Sequence, residues 1–280
     1  MTAPLISTEA LAARLADAAL RVFDASFYLP TEDADARARF REAHIPGARF
    51  FDIEEIADPG TALPHMVPSQ TRFARLAGAL GISNESFVVF YDQKGLFSAA
   101  RGWWLMRLFG HENAAVLDGG LPKWRRESRP IETGEPPTAE SAAFRPEFDA
   151  ARIRGLRDMR RNAETGAERV LDARPRGRFD GTAPEPRPGI APGHIPGAVN
   201  LPVSEIMTPD GTLLPPDLLR EKFHAAGVGE RTRVVTSCGS GITAAILTLG
   251  LAAAGLPEGA LYDGSWAEWA SDPTTPKARA

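Results

Sequence analysis

One thiol set in a glycine turn is the group in this chain best placed to do chemistry. Cys238-Gly239-Ser240-Gly241-Ile242-Thr243 follows a β-branched run, Arg233 to Ser237, and opens a long apolar stretch, Thr243 to Ala254. The run reads as a buried strand of a parallel sheet and the stretch as the helix after it. Backbone N–H groups at a helix start have no intrahelical partner, and the positive end of the helix dipole lies behind them. Such a ring favours a thiolate, so Cys238 is a candidate nucleophile with Gly239, Gly241, Ile242 and Thr243 as the cradle around it. A lone cysteine can also be a small core filler. Two glycines and the hydroxyls of Ser240 and Thr243 in the turn favour the nucleophile.

The neighbours of the thiol narrow what it attacks. A phosphatase loop of the Cys-x5-Arg type needs an arginine six residues on to grip phosphate oxygens, and that position is Ala244. A cysteine protease needs a histidine held against the thiol as general base. None of His44, His65, His111, His194 and His224 carries a local signature of one. Sulfur transfer asks for less. The thiolate accepts a sulfane sulfur, becomes a persulfide, and passes that sulfur to a second nucleophile, with loop amides stabilising both anions.

The whole chain limits the setting of this loop. Its 280 residues fit two domains of ordinary size. At 43% hydrophobic and 24% charged the composition is that of a globular protein, and a net charge of −4 gives no reason to expect nucleic acid as a partner. No window is long and apolar enough to span a bilayer, and the first residues show no cationic start before an apolar core, so a cytoplasmic location is expected. With a single cysteine there is no internal disulfide and no second thiol in the chain to discharge an oxidised Cys238. The acceptor must be another molecule. No ligand cluster or nucleotide fingerprint is present, so neither a metal nor an organic cofactor is expected.

The elements that must position the loop are duplicated. His44-Ile45-Pro46-Gly47-Ala48 recurs as His194-Ile195-Pro196-Gly197-Ala198, and Arg21-Val22-Phe23-Asp24-Ala25 as Arg169-Val170-Leu171-Asp172-Ala173. Leu117-Asp118-Gly119-Gly120 with Trp124 is echoed by Tyr262-Asp263-Gly264-Ser265 with Trp269. Matched landmarks in one order mark a repeated unit in which strands alternate with helices, which calls for a mainly parallel α/β sheet covered on both faces. The expected division is a first domain over residues 1–125, a Pro- and Glu-bearing linker over 126–148, and a second domain over 149–280. Aligning Val88-Val89 with Val234-Val235 puts Asp92 where Cys238 stands. Only the second unit should therefore do nucleophilic chemistry, with Asp92 capping or bracing the equivalent turn.

Two tandem units with His-Ile-Pro-Gly-Ala and Asp-Gly landmarks, and a cysteine loop only in the second, resemble the two-domain sulfurtransferases of the rhodanese superfamily over essentially the whole chain. The loop Cys238-Gly239-Ser240-Gly241-Ile242-Thr243 is similar to that of the mercaptopyruvate branch, whereas thiosulfate-using members typically carry basic residues there. The resemblance implies two tandem rhodanese-like domains and transfer of sulfur from 3-mercaptopyruvate through a Cys238 persulfide to cyanide or a thiol, including a thioredoxin-type dithiol, with release of pyruvate. It implies that Arg178 and Arg187, in Arg178-Phe179-Asp180-Gly181-Thr182 and Glu185-Pro186-Arg187-Pro188-Gly189, hold the substrate carboxylate and carbonyl. Segments Leu63 to Pro68 and Phe97 to Trp104 also fit bacterial members of this branch. The family's proton relay would join Ser240 to a first-domain histidine and an acid, positions that fall here on His44 and Asp35.

Each assignment has a plainer counterpart. His44 and His194 both open a Pro-Gly turn and could simply fix it. Arg178 and Arg187 sit in an arginine-rich loop that could be solvated, although a planar fork just after a strand end suits a carboxylate. Asp118 and Asp263 read as turn formers, and Trp103, Trp104, Trp266 and Trp269 as packing residues. A thiosulfate-preferring enzyme of the same fold and a non-catalytic sulfur-carrier or interaction protein are the competing functions.

Overall fold

The computed structural model describes residues 2–136 and 138–279; Met1, Pro137 and Ala280 of the expected domains and linker lie outside the described residues. Two compact units emerge, and neither is contiguous in sequence. The first comprises residues 1–58, 67–149 and 209–212, and the second comprises 59–66, 150–208 and 213–280.

In the first unit, β1 (Leu5–Ile6), α1 (Thr8–Ala12), β2 (Leu20–Asp24), α2 (Ala36–Glu42), β3 (Arg49–Phe50) and α3 (Ile53–Ile56) are followed by α4 (Gln70–Ala79), β4 (Phe87–Tyr91), α5 (Ala99–Leu108), β5 (Ala114–Leu117) and α6 (Gly120–Arg126). The second unit repeats this grammar. It runs β6 (Ile153–Arg154), α7 (Leu156–Thr165), β7 (Arg169–Asp172), α8 (Arg176–Asp180) and β8 (Val199–Asn200), then α9 (Pro216–Ala225), β9 (Val234–Ser237), α10 (Ala244–Ala253), β10 (Ala260–Tyr262) and α11 (Ser265–Ser271).

Among the described residues each unit holds a five-stranded sheet, in the orders β1-β5-β4-β2-β3 and β6-β10-β9-β7-β8. All of these pairings are parallel. A central parallel strand is buried on both faces, and Phe87 to Tyr91 are accordingly all buried. Alternate residues feed opposite layers: Val89 and Tyr91 join Leu11, Phe40 and Trp124 on one side, while Phe90 fills the space that a side chain at Gly102 of α5 would need on the other. In the second unit Val235 and Tyr262 pack with Met159, Trp266 and Trp269. Helix α10 is buried from Ala244 to Leu251, as expected for a helix apolar all round. The α/β fold class, with two duplicated parallel sheets flanked by helices, is the one read from the sequence.

The stretch 126–148, expected as a linker, belongs to the first unit for a physical reason. Glu132 bridges to His44 in an antiparallel pair, the Ala142 N–H donates to the Gly78 carbonyl at 2.9 Å, and the ring of buried Phe144 meets Phe73 edge-on at 5.6 Å.

The repeats differ inside the sheet ends. Asp172, at the end of β7, receives a fork from Arg174, whose Nε donates to Oδ1 at 3.0 Å and whose Nη2 donates to Oδ2 at 2.6 Å. Asp24, its counterpart at the end of β2, faces Ser26 where the second unit has Arg174, and is held by the Ser26 N–H at 2.9 Å and Gln93 Nε2 at 2.9 Å. Burial without a neighbouring cation raises the Asp24 carboxyl from 3.8 to about 6. The folded chain therefore keeps a proton that the unfolded chain loses above 3.8, and this group's contribution to stability falls as pH rises from about 4 to about 6. The loss amounts to roughly 3 kcal/mol at 1.36 kcal/mol per unit. Replacing Asp24 with Asn should flatten the wild-type decline across that window in urea melts at stepped pH; equal slopes for the two proteins would place the titration elsewhere.

Candidate active site

Cys238 is the first residue after β9, and its loop closes onto α10. Gly241 takes φ +79°, a left-handed conformation that strains any other residue type. Ile242 is buried and anchors the turn to the core, and the Ala245 and Ile246 N–H groups already turn back to the carbonyls of Ile242 and Thr243. Thr243 stands at the helix N-cap without a capping bond from its side chain. Among the described residues the backbone N–H groups of Ser240, Ile242 and Thr243 take no hydrogen bond. Cys238 itself is 2% exposed.

The first unit shows what this geometry binds. Asp92, at the position of Cys238, is fully buried, and its Oδ2 accepts the N–H groups of Phe97, Ser98 and Ala99 at 2.7, 2.9 and 3.0 Å, while Oδ1 accepts that of Lys94 at 2.9 Å. A strand, a turn and a helix start thus gather four N–H donors on one carboxylate. The expectation that Asp92 braces the turn is met, and at the matching place after β9 the second unit carries a thiol in place of that carboxylate.

Two arginines border the loop. Arg178, in the last turn of α8, places Nη2 2.7 Å from where a Cβ at Gly239 would stand. Glycine there leaves the side-chain space to the guanidinium. Glu185 fixes the fork, accepting Nε on Oε1 at 3.2 Å and Nη2 on Oε2 at 2.5 Å. The Glu185 carboxylate, 4% exposed, is also held by Arg174 Nη1 at 2.9 Å, and Arg174 pairs in turn with Asp172. Arg187 donates from Nη1 to the Ser240 hydroxyl at 3.2 Å, and its Nη2 lies 3.0 Å from Nε2 of His65. Since a guanidinium only donates, Nε2 accepts and the ring proton resides on Nδ1.

His65 escaped the sequence reading of the site. It is buried and sits at φ +61°, a backbone conformation that non-glycine residues hold only under constraint. Segment 59–66 belongs to the compact unit that carries Cys238. The signal available was the Leu63 to Pro68 stretch, which the sequence ties to the family without assigning it a role.

His44 and Asp35 have local duties instead. The His44 ring stacks on Phe40 at 4.3 Å, bonds the Phe40 carbonyl through Nδ1 at 2.9 Å, and holds Nε2 3.8 Å from Glu132. His194 repeats the pattern on Phe179, at 3.8 Å between rings and 2.8 Å to the carbonyl. A feature shared by both units fixes the Pro-Gly turn. Asp35 caps α2, accepting the N–H groups of Arg37 and Ala38 at 2.9 and 3.1 Å. Among the described residues Asp35 and His44 make no hydrogen bond or ion pair with each other, so the relay expected of them is not formed. Nor do the described residues contain a cluster of three or more His, Cys, Asp or Glu able to hold a metal.

A model of the rhodanese-like domain matches residues 7–127 and again 156–272. The chain belongs to the two-domain rhodanese family. It is 44% identical over 263 residues to the 3-mercaptopyruvate sulfurtransferase of Rattus norvegicus, covering 93% of this chain and 88% of that one. The 3-mercaptopyruvate sulfurtransferase of Escherichia coli K12 is 39% identical over 268 residues, 94% of either chain. The thiosulfate sulfurtransferase of Gallus gallus is 40% identical over 264 residues, 94% of this chain and 90% of that one. Among solved structures, SseA from Escherichia coli, described among the 3-mercaptopyruvate sulfotransferases, superposes with a TM-score of 0.83 at 35% identity, covering 95% and 99% of the chains. Tum1 from Saccharomyces cerevisiae gives a TM-score of 0.89 at 29% identity over the full length of both. No helix among the described residues of this rhodanese-family chain is long and apolar enough to cross a membrane.

The position of Arg178 over the loop can be tested without a substrate. A methyl at Gly239 would displace the guanidinium tip. Gly239→Ala should therefore lower the rate of Cys238 alkylation by anionic iodoacetate relative to neutral iodoacetamide by roughly threefold or more. An unchanged ratio would remove Arg178 from the immediate field of the thiol.

Proposed function

We propose that this rhodanese-family sulfurtransferase uses 3-mercaptopyruvate as donor and carries its sulfur as a persulfide on Cys238. One observation carries the reading: two arginine forks, Arg178 and Arg187, flank a loop that has no cation of its own. A planar fork accepts a carboxylate through two parallel bonds. The four charges of Asp172, Arg174, Arg178 and Glu185 cancel within their network, a balance that suits a monoanionic substrate better than a dianion.

In the proposed step the Cys238 thiolate attacks the donor sulfur and a sulfur–sulfur bond forms. The sulfur–carbon bond breaks, and its electron pair leaves on carbon as the enolate of pyruvate. The proton carried by the transferred sulfur, relayed through the Ser240 hydroxyl, restores the methyl group of pyruvate and leaves a persulfide anion on Cys238. Arg187 polarises Ser240 by donating to its oxygen, and neutral His65 stands on the far side of the same guanidinium. These contacts support Ser240, Arg187 and His65 as the proton-handling group in preference to Asp35 and His44. Loop N–H groups from Gly239 to Thr243 steady thiolate and persulfide alike. Cyanide or a thiol, including a thioredoxin-type dithiol, then takes the outer sulfur and regenerates the thiolate, since the chain holds no second cysteine.

Incubation with 3-mercaptopyruvate should yield pyruvate and add the mass of one sulfur atom to the intact protein, and Cys238→Ser should lose both. Faster loading from thiosulfate at equal concentration would replace the donor while keeping the nucleophile. Arg187→Gly should raise KM for 3-mercaptopyruvate by about tenfold or more while changing that for thiosulfate much less, because only the former offers a carboxylate. Equal effects on the two donors would withdraw the carboxylate assignment.

A further inference from the structure

The repeated Asp-Gly landmark differs between the units at the residues that touch the turn. Aligned residue by residue, Gly120-Leu121-Pro122 of the first unit stands against Ser265-Trp266-Ala267 of the second, and each triplet opens the last helix of its unit, α6 or α11. Both opening residues are left-handed, Gly120 at φ +52° and Ser265 at φ +50°. Glycine adopts this conformation freely, whereas serine pays for it in strain.

The strained serine is fully buried and works at both ends of its hydroxyl. Its Oγ accepts the N–H of Cys238 at 3.2 Å and donates to the Tyr262 carbonyl at 2.8 Å. Trp266 N–H then holds the Cys238 carbonyl at 3.0 Å, and Ala267 N–H holds the Gly239 carbonyl at 2.9 Å. Three bonds thus grip the backbone on both sides of the nucleophile. In the first unit only the middle one survives, from Leu121 N–H to the Asp92 carbonyl at 3.0 Å. The other two are impossible there: Gly120 has no hydroxyl and Pro122 has no N–H. Nor could Gly120 acquire a side chain, since a Cβ would lie 2.5 Å from the Asp92 carbonyl oxygen and 2.6 Å from that of Gly95.

We propose that Ser265 and Ala267 are positioning residues that lock the backbone of Cys238 and Gly239 from behind, so that the turn bearing the thiol keeps one conformation through ionisation and sulfur loading. The first unit holds its turn through the Asp92 carboxylate, which draws the donors around itself. A thiolate is larger, more diffuse and present only part of the time, so the second unit needs its ring preformed, and local strain at Ser265 is the cost of that preorganisation. The inference rests on Cys238 being the nucleophile and is independent of which donor loads it.

Ser265→Gly relieves the φ strain while deleting the hydroxyl, and Ala267→Pro copies the residue that the first unit tolerates at the same helical position. Iodoacetamide alkylation of the full-length protein, followed from about pH 5 to about pH 10, reads the thiolate directly and needs no donor. Both variants should unfold thermally near the wild type, yet their alkylation midpoints should move to higher pH and their loading with donor sulfur should slow by about tenfold. Folded variants whose alkylation profiles superpose on the wild type would overturn the proposal. So would loss of folding in both, which would make the clamp a support of the unit and not of the loop. A wild-type thiol that titrates like a free cysteine would instead remove the nucleophile reading itself.

Discussion

An unfilled ring of backbone N–H groups is the constraint on which the rest of the molecule turns. Where a parallel strand feeds a helix through a tight turn, the first N–H groups of the helix point at one spot and no carbonyl of the helix can reach them. Leaving them unpaired in a buried site is expensive, so an anion belongs there. The first unit fills it with the Asp92 carboxylate, fully enclosed and bonded by four N–H groups. The second unit supplies a side chain that becomes an anion only by losing a proton. The same strand-turn-helix backbone closes on a carboxylate in one unit and carries a thiol in the other, and the proposed nucleophile rests on that difference.

Around that ring the second unit has arranged its charges in series. Asp172 ends β7, orients Arg174, and Arg174 shares Glu185 with Arg178, whose tip lies over Gly239. Each member is placed by the previous one, and the first is placed by the sheet. Buried pairs of this kind contribute little net stability, because desolvation offsets most of the attraction. What they secure is geometry: a fork that would otherwise sample many rotamers is held in one orientation beside the thiol. The first unit, with Ser26 in place of Arg174, lacks this series, and its Asp24 is left as a buried carboxyl that holds its proton unusually well.

Much of this was legible in the sequence, for a reason rooted in duplication. Landmarks that recur about 150 residues apart give the fold class and the strand–helix alternation, and they expose Cys238 as a departure from the repeat at Asp92. Arg178 and Arg187 stand out through the family resemblance of their loop, and the structure places both beside the Cys238 turn. The same symmetry misled at His44. A histidine in a repeated motif invites a catalytic role, but its recurrence as His194, with the same stack on a phenylalanine and the same carbonyl bond, marks it as part of the scaffold. His65 lies outside every repeat, in a segment that leaves the first unit's chain to join the second, and no local spacing predicts such a crossing. The stretch after α6 misled in the opposite sense: polar and aperiodic, it reads as a linker, but one phenylalanine at 144 and a backbone bridge at Glu132 are enough to bind it to the first unit.

Divergence of the two copies is most informative where both keep the backbone and change only what it can bond. Gly120 and Ser265 occupy the same left-handed corner, and Pro122 and Ala267 the same place in the following helix. Glycine and proline are the residues of least conformational cost at these positions, so the first unit has settled into the unstrained solution. Serine and alanine at the same places cost conformational freedom and return two hydrogen bonds, both to the residues that bear and follow the thiol. The extra bonds lie beside Cys238 and not beside Asp92, and on the proposed reading they serve its chemistry: a turn closed by a carboxylate is held from within, whereas a turn that carries a sulfur through changes of charge and partner needs its backbone fixed from outside.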